Sequence, residues 1–341
     1  MTSPPPQTVP TTNDTRTEGQ RRSLIDRIVR RLLGKLKRKS VDQLEHLTEA
    51  PLLTIAPKAK PMERASRDKS QSMPPTRPIE GASKPLMRIA IVNHKGGVGK
   101  TSTAINLSAA LAEMNYKVLV FDCDSQGDLS AVYVPGADQL PQSVANLFDG
   151  TAFVEDLIRP TEYPNVFVVT ADERLNVVDK THGFASDANA TCLADAVAAV
   201  QGQYDFILFD CPPRPHLSAF AALCAATHVV IPCEPSQFSV RSMVRLMEEI
   251  DLARNTFNPQ LKLLGYFLSK VANRSATQTV YRDMLIEAFG ENMVLKTSIP
   301  VMATFEAAIN VRKPVVSYRP HSKASSIIRQ FSLELISVHH Q

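Results

Sequence analysis

The stretch NHKGGVGKTST, residues 93–103, constrains the fold more than any other part of the chain. It joins an apolar run, Arg88–Val92, to a helical pattern, Thr101–Met114, and glycine fills all but one of positions 96–99. Glycine at that density lets backbone N–H groups approach an anion closely, and the following helix aims the positive end of its dipole at the same place. The spacing predicts a phosphate-binding loop of the form G-x-x-x-x-G-K-[ST], with Gly99-Lys100-Thr101 in register. The N–H groups of Gly96, Gly97, Val98 and Gly99 are expected to wrap a β-phosphate. Lys100 is expected to reach the β- and γ-phosphates, and the Thr101 hydroxyl to ligate Mg2+. Two positions depart from the pattern: His94 stands where the first glycine belongs, and Lys95 is a second lysine.

A loop of this kind needs a metal-side carboxylate from a neighbouring strand, and YDFILFDCPP at 204–213 supplies one. Phe206–Phe209 is a continuous apolar run, as expected of a strand buried on both faces. Asp210 at its end lies where open α/β sheets bind ligands, and its expected role is to hold the Mg2+ water shell. Asp205, at the entrance, reads as a solvated strand-start residue. A second buried run, Lys117–Phe121, ends in Asp122-Cys-Asp124-Ser-Gln126-Gly. Residues two apart on an extended segment point the same way. Asp124 is the candidate to orient an attacking water, and Asp122 either ties down the loop or shares in catalysis. From Leu86 onward, strand-like runs alternate with helical patterns, which predicts a three-layer α/β domain over residues 86–341 built on a mainly parallel sheet.

The preceding residues differ in composition. Residues 1–86 hold 17 Lys and Arg against 9 Asp and Glu, and 11 of the 24 prolines. Such a stretch buries too little apolar surface to offset chain entropy, so residues 1–85 are expected to be mostly disordered. One segment breaks the rule. In RRSLIDRIVRRLLGKLKRKS, residues 21–40, Leu24, Ile28, Leu32 and Leu36 recur every four residues among nine Lys and Arg, the pattern of a basic amphipathic helix. It suits an anionic membrane surface, nucleic acid, a partner protein, or weak packing on its own domain. Gly34 in its middle favours folding on binding.

A second, weaker basic region covers residues 267–341, with 9 Lys and Arg against 5 Asp and Glu. The cysteines at 123, 192, 211, 224 and 233 have neither zinc-ligand nor disulfide spacing and read as small buried hydrophobes in a reducing cytosol. No apolar run has the length of a membrane span, and the N-terminus lacks a signal-peptide core, so a cytoplasmic protein is expected.

Lys95-Gly-Gly-Val-Gly-Lys-Thr101 resembles the deviant phosphate loop of the ParA and MinD group of P-loop NTPases. The resemblance continues through Asp122-x-Asp124-x-Gln126-Gly127, Asp210-Cys-Pro-Pro213, Val230–Pro235, Asn273-Arg274, Ile299-Pro300 and the ending from Lys313-Pro314 to Glu334, covering roughly residues 87–338. It implies an ATPase using ATP and Mg2+ bound through residues 95–102, Ser102 included. It also implies that Lys95 reaches across a dimer interface to the phosphates of the other subunit's ATP, so that Lys95, Lys100 and Asp124 form the catalytic set. Asn273 and Arg274 would lie near the adenine.

The partners implied are a second copy of the chain bound with ATP, non-specific DNA, and a ParB-like activator that stimulates slow hydrolysis on the nucleoid. Lys270, Arg274, Arg282, Lys296, Arg312, Lys313, Arg319 and Lys323 are the DNA-facing candidates. The uncharged Val301-Met-Ala-Thr304 departs from the arginine that many partition proteins place after Ile299-Pro300. Two alternatives stand beside this reading. One is a MinD-type membrane-surface positioning ATPase, with residues 21–40 as the membrane contact. The ending FSLELISVHHQ, which carries no basic amphipathic stretch, counts against it. The other is a DNA-binding regulatory nucleotide switch. An Fe-protein type reductase shares the loop, but the cysteines offer it no cluster ligands.

Overall fold

The computed structural model describes residues 87–181, 187–234, 240–271, 282–283, 285–287 and 289–339. The N-terminal extension with its 21–40 segment, and Asn273 and Arg274, lie outside the described residues.

The described residues open with β1 (Met87–Ile91), the phosphate loop and α1 (Lys100–Glu113). There follow β2 (Val118–Asp122), α2 (Asp128–Tyr133), α3 (Ala145–Phe148), α4 (Val154–Leu157), β3 (Ile158–Pro160) and β4 (Val166–Val169). Next come α5 (Leu175–Thr181), α6 (Asp187–Ala199), β5 (Phe206–Asp210), α7 (Leu217–Ala225), β6 (His228–Cys233), α8 (Val240–Thr256) and β7 (Lys262–Val271). The last elements are β8 (Ile299–Pro300), α9 (Ala303–Asn310), α10 (Val315–Tyr318) and α11 (Lys323–His339).

These strands form one eight-stranded sheet in the order β3-β4-β2-β5-β1-β6-β7-β8. Every pairing is parallel except β3 with β4. β3 is a short edge strand ending in Pro160, which lacks an N–H and so blunts further pairing. All five residues of β2 and of β5 are buried, as strands covered by helices on both faces must be.

Side-chain alternation divides the core into two layers. Leu119, Phe121, Ile207 and Phe209 face α6, α7 and α8, with the Phe121 and Phe209 rings stacked at 5.2 Å. Val118, Val120, Phe206 and Leu208 face α1, together with Phe331 and Leu335 of α11. On α8 the buried residues Met243, Leu246, Ile250 and Ala253 form the stripe at helical spacing that docks it on the first layer. β7 carries a bulge where pairing passes from Val229↔Leu263 to Val230↔Gly265. Gly265 holds φ +156° there, and a Cβ on it would meet the Met293 carbonyl at 3.0 Å.

The expected elements fall within a residue or a few of those observed. One detail is corrected. Asp205 is half-buried rather than a solvated strand-start residue, and its Oδ2 accepts the Lys117 N–H at 2.8 Å. That bond fixes the entrance of β2 beside β5, where a backbone donor otherwise lacks a ladder partner. Cys123, Cys211, Cys224 and Cys233 are buried, as hydrophobes of that size should be, while Cys192 is half-buried.

Candidate functional site

The site gathers at the C-terminal ends of β2, β5 and β1, three adjacent strands. The loop after β1 depends on two left-handed glycines, Gly97 at φ +77° and Gly99 at φ +91°, a conformation that costs other residues strain. α1 then starts with no side-chain cap and no acidic residue in its first turn, so its terminal N–H groups and positive dipole end stay open to an anion. Three contacts hold the loop from outside. Asn93 Nδ2 donates to the Pro232 carbonyl at 2.7 Å, Asn93 Oδ1 accepts the Lys95 N–H at 2.9 Å, and the Ser269 hydroxyl donates to the Val98 carbonyl at 2.7 Å.

Alternation also decides which carboxylates reach the loop. Asp122 and Asp210 are register partners on β2 and β5, and each follows residues that face α1. The two carboxyl groups therefore sit side by side under the phosphate loop, both wholly buried. Asp122 is committed: it accepts the Ser130 N–H at 2.9 Å, the Ser130 hydroxyl at 2.7 Å and the Asp124 N–H at 3.1 Å. Burial pushes its pKa up to about 7 against the pull of those bonds.

Asp210 differs: among the described residues neither oxygen has a partner in good hydrogen-bond geometry, and only the Thr101 hydroxyl lies close enough to act on its charge as a donor. Burial, then the neighbouring Asp122 charge, raises its pKa well above the ordinary carboxylate range, opposed by the Thr101 hydroxyl and Lys100. An unpartnered buried carboxylate is costly, and a hard divalent cation is the ligand that best offsets the cost. Asp210 and Thr101 thus fit Mg2+. Lys100 is buried and donates from Nζ to the Lys95 carbonyl at 3.0 Å, which leaves further donors for phosphate. Burial lowers its pKa while Asp210, Cys211 and Asp124 hold it up.

Residues 87–263 match the family described as an AAA domain. The chromosome partitioning protein ParA of Caulobacter vibrioides is 33% identical over 259 residues, covering 75% of this chain and 96% of that protein. This chain belongs to the ParA/MinD family of P-loop ATPases. The sporulation initiation inhibitor protein Soj of Bacillus subtilis is 30% identical over 250 residues, covering 72% of this chain and 97% of Soj. Among solved structures, the septum site-determining protein MinD of Pyrococcus horikoshii, complexed with Mg-ADP, superposes with a TM-score of 0.59 at 26% identity, covering 75% of this chain and 98% of MinD. Cobyrinic acid a,c-diamide synthase of Mycobacterium smegmatis, with bound ADP and magnesium, gives a TM-score of 0.64 at 25% identity, covering 75% of this chain and 96% of that one.

Within this ParA/MinD-family site the remaining candidates fall as follows. Asp124 is half-buried at the mouth, where its Oδ1 accepts the Gln126 N–H at 3.1 Å. Ser102 lies in the first turn of α1, its carbonyl accepting from Asn106 Nδ2 at 2.6 Å. Lys95 is half-buried, and among the described residues its ammonium makes no hydrogen bond or ion pair. Of the basic candidates toward the C-terminus, Lys270, Lys296, Arg312, Lys313, Arg319 and Lys323 are exposed. Arg282 instead donates to the Leu295 carbonyl at 3.0 Å, a structural bond.

The sequence assigned no role to Asn93 and Ser269, which bond the loop, to Ser130, which bonds Asp122, or to the contact between His94 and Glu249. None carries a motif. Asn93, His94 and Ser269 have partners 139, 155 and 171 residues away, respectively, while Asn93 also bonds Lys95 two residues on and Ser130 bonds Asp122 eight residues back.

Proposed function

We propose that the chain is a ParA-type ATPase that forms an ATP-dependent sandwich dimer, binds DNA without sequence preference and positions or segregates a DNA or protein cargo. ATP with Mg2+ is its nucleotide. The observation that carries the reading is the contrast between the two loop lysines. Lys100 is turned inward onto its own loop, whereas Lys95 presents an uncommitted ammonium beside it. A cation placed so stabilises phosphate charge most effectively in a second subunit facing the first, where water is excluded.

In this mechanism the loop N–H groups of residues 96–99 and the first turn of α1, through Ser102, bind and orient the phosphates. Thr101 and Asp210 would hold Mg2+, which would supply charge neutralisation at the phosphates. Asp124 orients the attacking water, and Lys95 supplies charge in trans. Asn273 and Arg274 are assigned to the adenine by resemblance alone. Hydrolysis removes what holds the dimer together, so binding to DNA is switched by the nucleotide. A cognate activator of the ParB kind is the natural source of stimulation, and the nucleoid the natural location. The relatives named for chromosome partitioning support this branch over the MinD-like membrane reading.

The test combines light scattering with co-sedimentation on random duplex DNA and on anionic vesicles. Lys95→Ala should keep nucleotide binding and lose the ATP dimer, and Asp124→Ala should keep the ATP dimer and the DNA-bound state. A Lys95→Ala protein that still dimerises with ATP overturns the trans role. Vesicle binding in place of DNA binding moves the chain to the membrane-positioning branch.

A further inference from the structure

One residue before the uncommitted lysine, His94 contacts a buried carboxylate with one oxygen to spare. Glu249 of α8 is 9% exposed at its side chain, and its Oε2 accepts from His94 Nε2 at 2.5 Å. Its Oε1 is buried and, among the described residues, has no hydrogen-bond partner. His94 is the residue immediately before Lys95, and consecutive Cα atoms are about 3.8 Å apart. Lysine carries three rotatable donors on a flexible stem. Glu249, in contact with the residue next to Lys95, is a carboxylate of the same subunit that a flexible lysine stem can seek.

We infer that His94 is a positioning residue for Lys95: by occupying Glu249 it keeps the lysine from closing an ion pair in cis and leaves its ammonium for the partner's phosphates. The inference rests on the trans role of Lys95 proposed above. The physical argument is one of competition. A carboxylate this far from water needs a donor, and an unpaired one would draw the nearest free cation. The cationic group on α8 one turn back, Arg245, is exposed, and among the described residues it has no ion pair with Glu249. His94 fills the need with a ring too short to travel. Its contact also ties the start of the loop to α8, 155 residues away in the chain.

The test is a double-mutant cycle in the full chain with His94→Ala, Glu249→Gln, both together, and Lys95→Ala as reference. Each is assayed for kcat and KM with ATP, for ATP-dependent dimerisation by light scattering, and for ADP affinity by calorimetry. His94→Ala should lower kcat about tenfold with KM changed by less than about twofold, the loss expected when a lysine is held by one partly buried ion pair. Glu249→Gln, which removes the competing charge, should stay within about twofold of the parent, and the double variant should recover to that level.

Rescue by deleting a second side chain is what a simple bracing bond cannot give. If the double variant is as impaired as His94→Ala, or Glu249→Gln alone is as impaired, the inference is overturned. Loss of ADP binding in His94→Ala also overturns it, since the pair would then shape the loop itself. If Lys95→Ala keeps the ATP dimer, the proposed function fails first. If Lys95→Ala loses the dimer while His94→Ala does not, only the guarding role fails.

Discussion

At the scale of residues, Asp122 and Asp210 show how little identity says about role. They are the same residue at paired positions of adjacent strands, yet three hydrogen bonds employ one, while among the described residues only the nearby Thr101 hydroxyl acts on the other as a donor. The raised pKa of Asp122 has a consequence for stability. A carboxyl group whose folded pKa, about 7 here, lies above its unfolded value binds its proton more tightly in the native state. Its contribution is therefore fully present below the unfolded pKa and is lost as pH rises through about 7. Without nucleotide, the melting temperature should fall across that window more steeply in the parent than in Asp122→Asn. Saturating Mg-ADP should flatten the parent's slope, because a cation held by Asp210 favours the ionised pair. Equal slopes in parent and variant would show that the pair does not govern this range. Asp210 was legible in the sequence because it ends an apolar run. The contrast with Asp122 was not, since it depends on Ser130, eight residues after Asp122, bonding one carboxylate and not the other.

At the scale of elements, α1 is nearly all buried and joins the phosphate loop to the C-terminal helices. Asn106 makes the junction: its Oδ1 accepts the Val315 N–H at 2.7 Å and its Nδ2 donates to the Ser102 carbonyl at 2.6 Å. Asn106→Ala leaves the Val315 donor buried without a partner, which should cost about 1–3 kcal/mol in urea unfolding. An effect below about 0.5 kcal/mol would mean that water reaches the junction. The central strands were readable from sequence because strands covered on both faces are continuously apolar. β3 and β8, of three and two residues, carry no period long enough to read, and the pairing of Asn106 with residue 315 spans 209 positions.

At the scale of the molecule, charge is uneven along the chain, with basic excess before residue 87 and after residue 266. Arg312 and Lys313 are exposed next to Ile309 and Val311, which are 51% and 49% exposed. If this end meets DNA, replacing Arg312 and Lys313 by alanine should weaken binding to all sequences alike. It should also reduce the salt slope by roughly one to two, as expected for up to two lost phosphate contacts. An unchanged slope would shift the DNA contact to the extension. The three-layer order and the site's location followed from the loop and the alternation of runs. Which basic residues are free to meet a partner did not, as Arg282 shows.

The Asp-Cys pairs at the ends of β2 and β5 carry one more meaning. Each strand ends with oxygen on the face of α1 and sulfur on the opposite face, because pleating sends neighbours apart. A slip of one residue would exchange thiols for carboxylates beneath the phosphate loop. The pleat therefore acts as a filter of metal chemistry, offering Mg2+ a pocket of hard donors and withholding from soft, thiol-seeking ions the two sulfurs one step along the chain.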